Sequence, residues 1–388
     1  MNVLMISQDA TCLAKEGTVR SDTLLRHREI ANRLSHFHVV VFSVGRVKHT
    51  RLHPTDTLTL HPTQSLNKLT RAPDAFRVAA RVCRRHRVEL VTTQDAFFTG
   101  VVGWAISRLH RIPFEVQVHA DCIGNRYWIN ERLLNRVLNV TGRWIVKRAD
   151  NVRVVSESER EKMLRLGIPG GRIWNIPGGE GINIEKFSFG DGSGVRRRLL
   201  PEGCDRMVLF VGRVTKQKRI PDLLLAAKSV VRTLRNVCFV IVGEGKELPR
   251  VRELAAKLAL GDRVIFTGNV PYAEMPGYFA AADVFVLSSG YEGTARVLME
   301  SVAAGLPIVT TKVCGVSELV ADGENGFVVP VGCPSVMGKK LVEVLSDVER
   351  FRQGAERQKV ALTLFDRSKN FPRLMQMWSQ VARQGKAA

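Results

Sequence analysis

The stretch from Ser288 to Gly305 reads SSGYEGTARVLMESVAAG. Ahead of it runs Asp283-Val284-Phe285-Val286-Leu287, a short apolar segment with the signature of a buried strand. Behind it, Val297, Leu298, Ser301 and Val302 fall at helical spacing, and Gly305-Leu306-Pro307 stops the helix. The reading is strand, loop, helix, with Glu292 in the loop and Glu300 inside the helix. If the helix starts near Thr294, Glu300 stands about 9 Å further along the axis at about 1.5 Å per residue. The N–H groups of Thr294, Ala295 and Arg296, next to Gly293, then point into the space between the carboxylates, where a helix N-terminus holds phosphate. Carboxylate, phosphate cradle and carboxylate suit the sugar, diphosphate and ribose of a nucleotide sugar.

Outward from this segment, β-rich runs alternate with helical patterns along the whole chain, which predicts parallel sheets built from βαβ units. In the first half, strands are expected at 3–7, 39–43, 89–93, 114–118, 152–155 and 172–176, with helices at 22–34, 74–87 and 130–148. Residues 45–70 are polar and long enough to read as a mobile loop over a cleft. The glycine-rich stretch Ser188–Gly194 reads as a linker, and a second series of strands follows at 207–211, 238–242, 263–266, 283–287 and 308–311. The expected fold is α/β, with two doubly wound Rossmann-like domains facing a cleft. Residues 1–188 form the first domain, 189–204 the linker and 205–369 the second domain, and residues 370–388 pack back on the first. Ligands of such sheets bind beyond the carboxyl ends of the strands, where the loop after Leu287 lies.

A chain of 388 residues fits two domains, and its 45% apolar and 24% charged residues are those of a globular protein. No apolar run approaches membrane-spanning length, and the N-terminus reads as a first strand without the basic region of a signal peptide. Seven cysteines without a C-x-x-C pair indicate reduced thiols and neither zinc nor a disulfide framework. The expected location is the cytoplasm, with the option of peripheral attachment to the cytoplasmic face of the membrane. A net charge of +21 asks for a polyanion. An anionic membrane surface ranks first, an ordinary solvated surface second, and nucleic acid third, since no aromatic interleaving or DNA-binding signature accompanies the charge.

The strand at 207–211 runs into Gly212-Arg213-Val214-Thr215-Lys216-Gln217-Lys218. Arg213 offers a planar pair of donors and Lys218 a compact charge, a combination that suits a diphosphate. Two more strands of this half end in glycine loops, Val242-Gly243-Glu244-Gly245 and Phe266-Thr267-Gly268. Gly243 permits a tight turn and a close approach.

In order, these segments read G-R-x-x-x-x-K, V-G-x-G, R-V-x-F-x-G, A-D-V-F-V-L-S-S, E-x7-E, G-L-P-I-V and D-G-x-N-G. Over residues 205–365 the chain resembles the retaining glycosyltransferases of family four, which have the two-domain GT-B fold. The first half carries weaker echoes at Val116–Ala120, Val154–Glu159 and Ile176–Phe187. The resemblance implies that Arg213 and Lys218 grip the donor diphosphate and Glu300 takes the ribose hydroxyls. It places Glu292 beside the transferred sugar, which His119 approaches from the first domain. It implies a nucleotide-sugar donor, a glycan or lipid-linked acceptor, and no metal or other cofactor, in agreement with the lack of a D-x-D metal motif; nucleic acid is not expected as a partner, for want of a binding signature. The expected product is a cell-surface polysaccharide or glycolipid. Glu292 and Glu300 look too widely separated for the nucleophile and acid/base pair of a retaining glycosidase, which stands about 5 Å apart, and the resemblance then implies front-face displacement. An epimerase of the same architecture and a non-catalytic nucleotide-sugar-binding protein are the alternatives.

Three positions depart from the family pattern. Arg219 replaces the glycine that normally follows Lys218, so it either adds a phosphate contact or crowds the loop. Gly293-Thr294-Ala295 stands where Gly-Phe-Gly is common, which alters the sugar pocket. The glycine-rich loop after the first strand is missing, with only Gly17 between Ser7 and Arg20.

Overall fold

The computed structural model describes residues 1–13, 22–45, 52–177, 184–293 and 296–387. Fourteen strands form two sheets among these residues. The first sheet contains β1 (Asn2–Ser7), β2 (His36–Val41), β3 (Leu52–Thr55), β4 (Leu58–Pro62), β5 (Leu90–Thr93), β6 (Phe114–Val118), β7 (Asn151–Val154) and β8 (Ile173–Asn175). Their order is β3-β4-β2-β1-β5-β6-β7-β8, parallel throughout except for the antiparallel pair β3/β4. The second sheet contains β9 (Arg206–Val211), β10 (Val237–Val242), β11 (Val264–Gly268), β12 (Val284–Leu287), β13 (Ile308–Thr311) and β14 (Gly326–Val329). Its order is β11-β10-β9-β12-β13-β14, all parallel. Strands such as Val237-Cys238-Phe239-Val240-Ile241-Val242 are buried along their whole length, because helices cover both faces of a parallel sheet.

The chain divides into two compact units. The first comprises residues 1–119, 132–178 and 368–388; the second comprises 120–131 and 179–367. The C-terminal helix Arg367–Ala387 therefore ends in the first unit, where Trp378 is fully buried and its ring centre lies 6.0 Å from that of Phe37. Phe371, Leu374, Met377 and Val381 share that core with Val3 and Leu58. The helix is pinned at its start, where Arg373 Nη2 donates to the Asn175 carbonyl at 2.8 Å.

Several expectations need correction. Residues 52–62, read as part of a loop, form the hairpin β3/β4, and β4 pairs in parallel with β2; residues 46–51 lie outside the described residues. The helix expected at 130–148 is two helices, Arg126–Glu131 and Leu133–Arg148, separated by Arg132 in an extended conformation. β14 was not anticipated. The glycines after Ser188 do not mark loose chain: a Cβ on Gly192 would lie 2.3 Å from the Ala281 backbone nitrogen, so this stretch lies tightly against helix Met275–Ala281.

Candidate functional site

In the second sheet β9 is flanked by β10 on one side and β12 on the other, so the strand order reverses there. Crevices at the carboxyl ends of such strands are the ligand positions of open α/β sheets. The loops leaving β9 and β12 carry Gly212–Arg219 and Ser288–Gly293. They are bound together by Gly290 N–H donating to the Gln217 carbonyl (2.8 Å) and Ser288 Oγ donating to the Lys218 carbonyl (2.7 Å).

Across that seam Lys218 Nζ lies 2.7 Å from Glu292 Oε1, with both side chains buried. Gln217 Nε2 reaches Glu292 Oε2 at 3.3 Å and the Tyr291 carbonyl at 2.9 Å. Both oxygens of the carboxylate are thus engaged, and its orientation is set before any ligand arrives. The sequence reading assigned Lys218 and Glu292 to different parts of a donor; the structure brings them together as one ion pair. Arg213 is exposed and makes no ion pair among the described residues.

Gly212 and Gly243 build the floor. Gly212 N–H donates to the Val242 carbonyl (3.0 Å), Gly243 N–H to the Gly268 carbonyl (2.8 Å) and Val214 N–H to the Glu244 carbonyl (2.9 Å). Gly243 has φ +132°, and a Cβ there would stand 2.0 Å from the Gly212 carbonyl oxygen. The close approach that Gly243 allows is therefore that of the neighbouring loop.

Arg219 shows why glycine is usual at its place: its φ is +47°, in the left-handed region. Its Nε is 2.7 Å from Asp222 Oδ2 and its guanidinium lies 5.2 Å from the centre of the Tyr127 ring. Arg219 lines a cavity of about 420 Å³ with Arg126, Tyr127, Gln217 and Tyr291.

Glu300 sits in helix Arg296–Ala303 and is 4% exposed. Tyr272 Oη donates to Glu300 Oε1 at 3.1 Å, and Arg296 Nε approaches the same oxygen at 3.3 Å. Burial pushes the carboxyl up to about 7, against the opposing pull of Arg296 and Tyr272. The Arg296 side chain also donates to Tyr272 Oη (2.9 Å) and lies over its ring. Thr294 and Ala295, expected to offer backbone donors, lie outside the described residues. Gly293 forms an antiparallel bridge with Ala120, and Asp121 N–H donates to the Glu292 carbonyl at 2.9 Å. The segment 120–131 thereby backs the Glu292 loop, helped by Tyr291 Oη donating to Glu131 and Tyr127 Oη donating to the Val331 carbonyl at 2.8 Å.

His119 belongs to the first unit. Its Nε2 is 2.7 Å from Gln117 Oε1, and Arg153 Nη1 donates to the same oxygen at 3.2 Å. Arginine only donates, so Gln117 presents Oε1 and His119 carries its proton on Nε2, leaving Nδ1 as the acceptor. Gln117 Nε2 donates to Thr92 Oγ1 (2.9 Å), which in turn donates to Glu115. Burial, reinforced by Arg153, holds the imidazole well below its ordinary pKa, so it is neutral. Burial likewise pushes the Glu115 carboxyl up to about 7.

Sequence reading missed Gln217, Tyr272, Gln117 and Arg153 as members of these clusters. Gln217 had a signal, since it lies between the two lysines of the β9 loop. Tyr272 follows β11, whose carboxyl end lies on the same edge of the sheet. Nothing in the sequence singles out Arg153, which is an arginine inside a buried strand.

Two family models match the chain: "Glycosyl transferases group 1" over residues 195–359 and "Glycosyl transferase 4-like domain" over residues 26–179. An alpha-D-kanosaminyltransferase of Streptomyces kanamyceticus is 28% identical over 259 residues, covering 65% of this chain and 66% of that protein. A D-inositol 3-phosphate glycosyltransferase of Acidothermus cellulolyticus is 35% identical over 198 residues, covering 48% of this chain and 43% of the relative. The matched part thus spans less than two thirds of these relatives' lengths. Among solved structures, sucrose-phosphate synthase from Thermosynechococcus elongatus superposes with TM-score 0.79 at 20% identity, covering 98% of this chain and 99% of the other. HepE of Anabaena, in complex with UDP and glucose, gives TM-score 0.74 at 21% identity, covering 98% and 100%. At such identities the likeness establishes the two-unit GT-B fold.

Proposed function

We propose that this chain, which belongs to the group 1 glycosyl transferases, moves a sugar from a nucleoside-diphosphate donor to an acceptor hydroxyl with retention at the anomeric carbon. The product is a polysaccharide or glycolipid. The observation that carries the reading is the buried Lys218–Glu292 pair at the carboxyl ends of β9 and β12, where the strand order reverses. Relatives named as a kanosaminyltransferase and an alpha-monoglucosyldiacylglycerol synthase support it, as does HepE, solved with UDP-glucose.

In this reading the bond from the anomeric carbon to the β-phosphate oxygen breaks and a bond to the acceptor oxygen forms on the same face. The acceptor proton passes to the departing phosphate oxygen. Negative charge grows on the diphosphate, and a preset cation stabilises it more than mobile water does. Arg213 supplies two parallel N–H donors. Lys218 has three N–H bonds, of which Glu292 takes one, so the remaining donors serve the diphosphate. Glu292, fixed by Lys218 and Gln217, orients the sugar, and Glu300, once ionised, accepts from the ribose hydroxyls. His119, neutral with its proton on Nε2, offers Nδ1 to a sugar hydroxyl. We assign the charge stabilisation to these side chains and to the N-terminal end of helix Arg296–Ala303, without a metal.

The test is incubation with UDP-, GDP- and ADP-sugars, with release of nucleotide followed in the presence and absence of glycan and lipid acceptors. Acceptor-dependent release with an α-linked product from an α-linked donor supports the proposal. Isomerised or hydrolysed sugar at the same rate without acceptor overturns it.

A further inference from the structure

Helix Leu133–Arg148 of the first unit buries Asn135, Gly142, Ile145 and Val146. Its opposite, outward side is apolar too. Leu133, Val137 and Val140 follow one another at spacings of four and three, and are 79%, 63% and 67% exposed. Such spacings form one stripe on a helix. Trp144 continues the stripe and packs edge-on against Trp104 of helix Phe98–His110, with ring centres 4.7 Å apart. Val101 of that second helix is also exposed, at 39%. Contiguous apolar surface of this kind marks a contact site; scattered exposed residues do not.

The stripe has a charged border of a single sign. Arg136, Arg143 and Lys147 lie on the exposed side, and none forms an ion pair among the described residues. The Arg148 guanidinium lies 4.1 Å from the Trp144 ring centre. Neither helix contains an aspartate or glutamate. A second copy of the chain would bring these cations face to face, and a net charge of +21 opposes that pairing. A surface that accepts apolar groups behind a layer of anions satisfies both parts of the patch.

We propose that the outer face of helix Leu133–Arg148, with its neighbour Phe98–His110, docks on an anionic lipid bilayer. The helix lies along the interface, its apolar stripe enters the boundary between headgroups and acyl chains, and Trp144 stands at headgroup level, backed by Trp104. Arg136, Arg143 and Lys147 meet the lipid phosphates. The inference rests on this surface and is independent of the transfer reaction.

Flotation of the full chain with vesicles tests it, using phosphatidylcholine alone and phosphatidylcholine with one third phosphatidylglycerol. The Leu133→Ser/Val137→Ser/Val140→Ser variant keeps the net charge, so any loss belongs to the apolar stripe. The wild type is expected to bind the anionic vesicles, and the serine variant to partition at least about tenfold less, given what three buried apolar side chains contribute. Arg81→Gln/Arg84→Gln/Arg85→Gln, which removes three cations from helix Arg71–Arg85, is expected to lose less. Should the serine variant not fold, fluorescence quenching by bromine-labelled lipid reads the same surface: it is expected in the wild type and reduced in Trp144→Phe. No binding of the wild type, equal binding by the serine variant, or a larger loss in the glutamine variant overturns the proposal. So does quenching that is unchanged in Trp144→Phe, or a lipid-free dimer that the serine variant abolishes.

Discussion

Lys218 and Glu292 lie 74 residues apart in sequence and 2.7 Å apart in space, each less than a tenth exposed. A buried ion left without its partner carries a desolvation cost that its attraction no longer offsets. Lys218→Met is therefore expected to lower the unfolding free energy by about 3 kcal/mol. Adding Glu292→Gln to it should restore part of the loss, because the unpaired charge disappears. Urea denaturation of both single variants and the double variant measures this, and strictly additive effects would show that the two groups are not coupled.

Arg213 and Arg219 are separated by function on this account. Arg213 is exposed and forms no ion pair among the described residues, whereas Arg219 is held by Asp222 and the Tyr127 ring. Arg213→Ala is expected to raise the donor KM or lower kcat/KM at least about tenfold, the loss expected for a charge-assisted bidentate contact. Arg219→Ala should change it less than about threefold, since the guanidinium is already committed elsewhere. Steady-state kinetics with one donor suffices, and a reversal of the order would transfer the phosphate role to Arg219.

Glu300 should make both stability and donor binding depend on pH. Burial raises its carboxyl from the ordinary 4.5 to about 7, so between those values the folded protein holds a proton that the unfolded chain releases. Its contribution to stability is thus fully present below about 4.5 and is lost as pH rises to about 7. Glu300→Gln should flatten that part of the stability profile. Only the ionised carboxylate accepts from two ribose hydroxyls, so the donor KM is expected to rise as pH falls below 7 in the wild type. In Glu300→Gln it should be high and independent of pH.

Arg153 should act on His119 through charge. It shares Gln117 Oε1 with the imidazole and disfavours protonation of the ring. Arg153→Met removes a cation and a hydrogen-bond donor, so the His119 pKa is expected to rise. An NMR titration of the ring Cε1–H reads this directly, and the acid limb of the pH–rate profile should move to higher pH with it. An unmoved resonance would show that burial alone keeps the ring neutral.

Much of the second unit was legible because its strands are contiguous apolar runs and its turns carry glycine. The segment 283–305 gave strand, loop and helix from composition alone, and the described helix begins at Arg296. The hairpin β3/β4 escaped because Leu-His-Pro-Thr and Leu-Thr-Leu-His-Pro have polar residues and prolines where a buried strand usually has none. The break at Arg132 escaped because neither glycine nor proline marks it. The Lys218–Glu292 pair escaped for a different reason. Both residues were singled out, but their contact depends on β9 lying beside β12, a strand order that composition does not encode.

The most direct test of the central claim is acceptor-dependent nucleotide release by wild-type and Glu292→Gln protein, on a donor that the wild type uses. The variant is expected to lose at least about a hundredfold in kcat, the scale of removing one preorganised electrostatic group from a transition state. Its fold should be retained by circular dichroism. Release at the wild-type rate in folded Glu292→Gln protein would contradict the placement of the reacting sugar at the Lys218–Glu292 pair.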